Sequence, residues 1–220
     1  MHKIAMHHFK KVDPKLHAVA EEVFKKHGEI KLCVSGDLFS DLCEAIVGQQ
    51  LSGKAAATIF GRFRELFRAG RITPKRVLEL PSEEMRACGM SSSKVSFVKD
   101  LAQRVLKGEL ELSLDAFEGV DEAEIVGLLT QVKGIGPWTA EMFLMFSLAR
   151  EDVFSHGDLG LRKAIKKLYF SGGSAGKKSG RRGDPFEEYE PTAAEIEKIA
   201  VKWSPFKTYA SMILWKSLEL

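Results

Sequence analysis

The chain has 220 residues, between one and two domains at the usual ~150 residues per domain and long enough to bury a sizeable core. Its 45% hydrophobic and 29% charged content, with 19 Gly and 7 Pro, excludes a collagenous or wholly disordered chain. A net charge of +3 permits nucleic acid as a partner without requiring it.

Helical periodicity dominates from end to end. The first residues, with His2, His7 and His8, read as a frayed terminus without zinc-like spacing. Asp13-Pro14 then reads as an N-cap followed by proline at the first helical position, and Leu16, Val19, Ala20, Val23 and Phe24 recur at helical spacing until Gly28. Asp37 to Gln49 places Leu38, Leu42, Ala45 and Ile46 on one stripe, and Ser52 caps a partner helix carrying Ala56, Ile59, Phe60, Phe63 and Phe67. Ser82 opens a short helix ending near Cys88-Gly89, and Ser93 to Lys107 repeats the apolar period with Val95, Val98, Leu101, Ala102 and Val105. Asp121 to Val132 is predicted helical, with acids in its first turn. Lys133-Gly-Ile-Gly136 is a tight turn, and Pro137 starts a helix reaching about Ala149. Asp158 to Tyr169, Thr192 to Trp203 and Lys207 to Leu218 complete the helices. No segment alternates as a strand does, so the fold class is all-α.

The sequence between Tyr169 and Phe186 is rich in Gly, Ser, Lys and Arg and reads as a mobile loop at about 171–188. Lys177, Lys178, Arg181 and Arg182 there make either phosphate contacts or a solvated insertion. Cys33, Cys43 and Cys88 are odd in number and lack close pairs, which argues against disulfides or structural zinc and for ordinary thiols in a reducing compartment. No apolar run reaches the ~18 residues of a membrane span, and the N-terminal stretch lacks a signal-peptide core. An intracellular protein is expected, in the cytoplasm with the nucleoid or in a nucleus.

The most informative stretch is LLTQVKGIGPWTAEMFLMF. Glycines at 134 and 136 let the backbone turn with its amides exposed, and Pro137 starts a helix whose positive end faces the same side. That is either an anion site, able to hold a phosphate without reading sequence, or a plain interhelix turn with glycine at a C-cap. Downstream, Asp158 stands directly before LGLRKAIKKLY, where an N-cap is the bland reading.

Read together, AIVGQQLSGKAAATIFGRF, GMSSSK, VKGIGPWTAEMFLMFSLAREDVFSHGDLGLRKAIKKLY and KWSPFKTYASMILW resemble the helix-hairpin-helix (HhH-GPD) superfamily of DNA base-excision glycosylases, within it the 3-methyladenine or alkyl-base branch. The resemblance covers roughly residues 37 to 170 and resumes near the C-terminus. It implies two helical lobes flanking a DNA-binding cleft, one of about 1–36 plus 171–220, the other, with the hairpin, of about 37–170. It also implies a monomer acting on double-stranded DNA with damaged bases.

The family's catalytic acid follows the hairpin by some twenty residues and matches Asp158, with Asp152 as a rival that falls at a structural Asp-Val-Phe turn. Trp138 matches the position at which strand-cutting members carry a lysine, which implies a monofunctional enzyme using water. Trp138 and Trp215 are candidate walls for the flipped base, or else core tryptophans, and Met142 replaces a further family aromatic. Lys133, Gly134, Gly136 and Thr139 are candidate DNA contacts. Ser91 and Ser92 match the wedge that fills the gap left by a flipped nucleotide, the alternative being a helix cap by Ser92 or Ser93. Gln49 and Gln50 either approach the pocket or satisfy turn backbone, and His156 either touches sugar or phosphate or is a plain loop residue. No cofactor is expected beyond a structural sodium or potassium ion on the carbonyls of Thr130, Val132 and Ile135. The expected activity is hydrolysis of the N-glycosidic bond of alkylated purines of the 3-methyladenine and 7-methylguanine type. The alternatives are a glycosylase for an oxidised or deaminated base, and a non-catalytic DNA-binding hairpin module.

Overall fold

The computed structural model describes residues 2–170 and 190–220. In chain order the helices are α1 (His2–Val12), α2 (Pro14–His27), α3 (Leu38–Gly48), α4 (Gly53–Glu65), α5 (Pro74–Glu79), α6 (Ser82–Ala87), α7 (Ser92–Leu106), α8 (Leu114–Phe117), α9 (Glu122–Leu129), α10 (Pro137–Phe146), α11 (Leu159–Ile165), α12 (Ala193–Ala200) and α13 (Lys207–Ser217). Among the described residues there is no strand, in keeping with the all-α reading. The loop expected at 171–188 lies outside the described residues.

The chain forms two compact units, residues 1–32 with 150–220, and residues 33–149. The sequence boundary at 170 is corrected here: residues 150–170 belong with the chain termini and not with the hairpin. The reason is burial, because Leu161, Ala164 and Ile165 of α11 share one apolar cluster with Phe9, Leu16 and Trp203. Complete burial of such side chains contributes roughly 1.5–3 kcal/mol each, more than a surface helix could recover.

The expected frayed start is also corrected. Residues 2–12 are helical, with Ala5 and Phe9, one turn apart, fully buried in the same cluster. Side-chain caps set most other boundaries, Asp13 and Ser52 in the capping role expected of them and Asp37, Asp121 and Thr192 at the expected helix starts. Asp13, Asp37, Ser52, Asp121 and Thr192 each accept a first-turn amide, and Thr192 with Glu195 completes a capping box. Thr73-Pro74 sets up the short α5, which the sequence reading passed over.

In the first unit the α2 cap doubles as the polar centre of the core. Asp13 Oδ1 accepts the Leu16 amide at 3.1 Å, while Oδ2 accepts the Tyr169 hydroxyl at 2.6 Å and the Trp203 indole N–H at 2.9 Å. Burial, and then the Asp13 carboxylate, push the Tyr169 phenol far above its ordinary range, so it stays a neutral donor. Replacing Asp13 by Ala strands two buried donors and a helix start, and is expected to destabilise the protein by about 2–4 kcal/mol. Urea unfolding measures this, and a loss under 1 kcal/mol would show that the network carries little.

Candidate active site

In the 33–149 unit the hairpin is built by α9, the turn at 130–136 and α10. Gly134 adopts φ +81, and a β-carbon there would overlap the ring of Phe97 on α7. Only glycine fits on both counts. Gly136 differs: its φ is −95 and nothing lies within 4 Å of a β-carbon placed on it. The protein's own packing and backbone therefore do not require glycine at 136.

The turn's own groups are largely committed. The Lys133 amide donates to Asp100 Oδ2 at 3.0 Å and the Ile135 amide to the Val132 carbonyl at 3.1 Å. Among the described residues the Gly134 and Gly136 amides donate to no acceptor, which leaves them at the N-terminal end of the ten-residue α10 as a pair suited to an anion. Gln49 clamps the turn from α3, donating to the Gly134 carbonyl at 2.7 Å and weakly to the Thr139 hydroxyl at 3.4 Å. Lys94 in turn donates to the Val47 and Gln49 carbonyls, each at 2.8 Å, and its burial lowers the ammonium pKa below the usual lysine range. The serine turn at the start of α7 and the glycine hairpin are thus joined through one lysine and one glutamine. Gln49 takes the backbone-satisfying role of the two left open.

Thr139, a candidate DNA contact, is buried with its hydroxyl facing Gln49. The cap of α7 is Ser91, whose hydroxyl accepts the Lys94 amide at 3.3 Å, and not Ser92 or Ser93. Ser92 is exposed, as is Lys133, whose ammonium stands 3.8 Å from Asp100. Trp138 in the first turn of α10 is 46% exposed and so is not a core residue of its unit. Met142, one turn further on, lines a cleft of about 380 Å³ with Asp41, Glu44 and Phe146.

In the other unit Asp158 caps α11. Its Oδ1 accepts the Leu161 amide at 2.7 Å and the Trp215 indole N–H at 2.8 Å. Asp158 as a residue is only 9% exposed. Trp215 is half-buried, and the structure commits its N–H to Asp158, a bond the sequence reading did not anticipate. Asp152 is held elsewhere, accepting the Ser204 hydroxyl at 2.6 Å and the Lys207 amide at 3.2 Å, which fits its structural assignment. His156 pairs with Glu197 at 3.0 Å.

Residues 43–183 match the family described as HhH-GPD superfamily base excision DNA repair protein. The chain belongs to the HhH-GPD superfamily. A DNA-3-methyladenine glycosylase of Schizosaccharomyces pombe is 34% identical over 183 residues, 83% of this chain and 73% of that protein. A DNA-3-methyladenine glycosylase of Saccharomyces cerevisiae is 29% identical, and the match spans 66% of its length. Among solved structures, the fission-yeast enzyme in complex with abasic DNA superposes with a TM-score of 0.80 at 29% identity, over 98% of this chain and 97% of that one. A DNA-3-methyladenine glycosidase of Bacillus halodurans gives 0.71 at 31% identity, over 94% and 88%.

Within this HhH-GPD chain, sequence reasoning missed Asp100 and Phe97, which support the hairpin from α7. Asp100 lies 33 residues before its partner Lys133, on a helix with no local pattern to mark it. Lys94 stood inside the quoted GMSSSK segment, but its reach to α3 has no signature in sequence.

Two outcomes follow for the hairpin. Gly134→Ala is expected to destabilise the protein by about 2–4 kcal/mol through overlap and positive φ, whereas Gly136→Val leaves the melting temperature unchanged and weakens duplex binding at least tenfold. Equal effects of the two on stability would contradict the distinction. Burial alone would raise the Asp100 carboxyl, but the Lys133 amide and Arg104 outweigh it and hold it below the usual carboxylate range. Its stabilisation of the turn is therefore present above the ordinary unfolded carboxylate pKa and is lost only as the pH falls through the lowered folded value. The protection factor of the Lys133 amide, exchange relative to the unfolded chain, should persist as the pH falls through the ordinary carboxylate range; loss of protection within that range would contradict the lowered value.

Proposed function

We propose that the chain is a monofunctional DNA glycosylase that hydrolyses the N-glycosidic bond of alkylated purines, of the 3-methyladenine and 7-methylguanine type, in double-stranded DNA. The observation that carries this reading is the Asp158 carboxylate, fixed by two N–H donors on one oxygen at the start of α11. Relatives named DNA-3-methyladenine glycosylase support it, at 34% and 29% identity.

The hairpin's Gly134 and Gly136 amides, with Lys133 beside them, hold a phosphate of the strand and position the duplex without reading its sequence. The exposed Ser92, on the turn that Ser91 caps, stands at the wedge position. The target nucleotide leaves the stack, which reaction at a base inside a duplex requires. As the bond from C1′ to the base nitrogen breaks, the electron pair goes to the base and positive charge grows on the sugar. Asp158 stabilises that charge, and water adds to C1′ and releases its proton to the solvent, so the cationic lesion and water become a neutral base, an abasic sugar and a solvated proton. An alkylated purine leaves as a neutral base, so it needs little acid assistance. The face of Trp138 attracts the cationic base before bond cleavage, with Met142 one turn along the same helix. A tryptophan at 138 forms no Schiff base with the sugar, so the strand stays intact.

Among the described residues no cluster of His, Cys, Asp or Glu is spaced to hold a metal ion. A sodium or potassium ion would rest on the main-chain carbonyls of Thr130, Val132 and Ile135. These are hard oxygen donors on one turn, though the Val132 carbonyl already accepts the Ile135 amide. Such an ion would brace the turn that presents the two glycine amides. No helix of the described residues is long and apolar enough to cross a membrane.

Methylated duplex incubated with the protein should release 3-methyladenine or 7-methylguanine, with strand breaks only after alkali. Asp158→Asn should lower the single-turnover rate by about 10²-fold or more while duplex affinity is retained. Full activity in that variant would remove Asp158 from the chemistry.

A further inference from the structure

We infer that Trp215 and Gly160 act together as positioning residues for the Asp158 carboxylate. This rests on the glycosylase reading of Asp158. The indole N–H of Trp215 and the amide of Leu161 converge on the same oxygen, at 2.8 and 2.7 Å, which fixes the plane of the carboxyl group and not merely its place. A cap alone needs only the amide, so the indole bond is an addition to the capping geometry.

Gly160 is what admits it. A β-carbon at 160 would stand 3.0 Å from Trp215 Cδ1, 3.1 Å from its Nε1 and 3.1 Å from Asp158 Oδ1, tighter than ordinary packing against all three atoms. No positive φ accompanies this glycine, so its backbone suits any residue. Inside a helix glycine is the poorest former after proline, so local propensity gives no reason for it. The reason lies in the indole, which rides over the bare Cα and reaches the carboxylate. Trp215 thereby takes a different part from the base-stacking wall suggested by its resemblance: it acts through Asp158.

The test uses the full chain and methylated duplex under single-turnover conditions, with Trp215→Phe, Gly160→Ala and the double variant. Trp215→Phe keeps a ring and deletes the N–H, and Gly160→Ala keeps both partners and separates them. Each should slow base release by about 10- to 100-fold without changing duplex affinity or melting temperature. The double variant should lose no more than the worse single one, because both break the same contact. A Trp215→Phe enzyme with the native rate and weaker binding of the damaged duplex would overturn the proposal in favour of stacking. Multiplicative losses would overturn the link to Gly160.

A second readout does not depend on turnover. The indole N–H proton resonance of Trp215, assigned by its loss in Trp215→Phe, should shift in both Asp158→Ala and Gly160→Ala. A resonance unmoved by Gly160→Ala refutes the role of the glycine. Shifts in a protein that releases no base would instead sink the glycosylase reading and leave the positioning intact.

Discussion

A carboxylate at the start of a helix has two demands on it, and the Asp158 geometry meets both with a single oxygen. The first-turn amides need an acceptor, and a charge withdrawn from water needs donors that hold it in place. Oδ1 takes the Leu161 amide and the Trp215 N–H together. The same unit contains a second aspartate joined to an indole, Asp13 with Trp203, but there the donors are divided between two oxygens and the Tyr169 hydroxyl adds a third. Asp13 is a structural knot inside the core. Asp158 repeats the pairing beside a glycine, with the Leu161 amide and the Trp215 indole N–H both on Oδ1.

The hairpin solves a different problem, that of leaving backbone amides available without letting the turn collapse. Its two glycines divide the work. Gly134 is dictated from inside by Phe97 and a left-handed backbone, whereas nothing inside the protein dictates Gly136, for which the proposed phosphate contact supplies the reason. The remaining polar groups of the turn are tied off by Asp100 and Gln49, and Gln49 is itself held by Lys94. A phosphate site made chiefly of main-chain donors needs this kind of bracing, since backbone amides keep their aim only while the turn keeps its shape. The burial of Lys94 makes sense in the same terms: its ammonium is worth its desolvation because it gathers two carbonyls left over at the end of α3.

Much of this was legible in the chain itself. Caps and prolines marked most of the long helices, because local rules decide those, whereas KGIGPW and the aspartate beyond it pointed to chemistry only through the family resemblance. What escaped has a common physical origin. The α1 helix carries only two fully buried residues among histidines and lysines, so its period is faint. The allegiance of residues 150–170 depends on which core buries Leu161 and Ile165, a tertiary fact. The supports of the site, Asp100, Phe97 and Gly160, act across space on partners that share no spacing rule with them. Ser91 and not Ser92 capping α7 is a one-residue shift, the size of error that caps commonly hide.

Selectivity in the proposed reaction then has few places to reside. The hairpin amides are blind to sequence, and a carboxylate beside a sugar is indifferent to which base departs. The titratable chain neighbours of Asp158 are engaged elsewhere: Asp152 with Ser204 and Lys207, His156 with Glu197. A normal purine, which must be protonated to leave readily, finds little help in that arrangement. An alkylated purine brings its own positive charge, draws on the face of an exposed indole at Trp138, and departs neutral. The discrimination is thus carried largely by the lesion, and an enzyme with one fixed carboxylate is sufficient to exploit it.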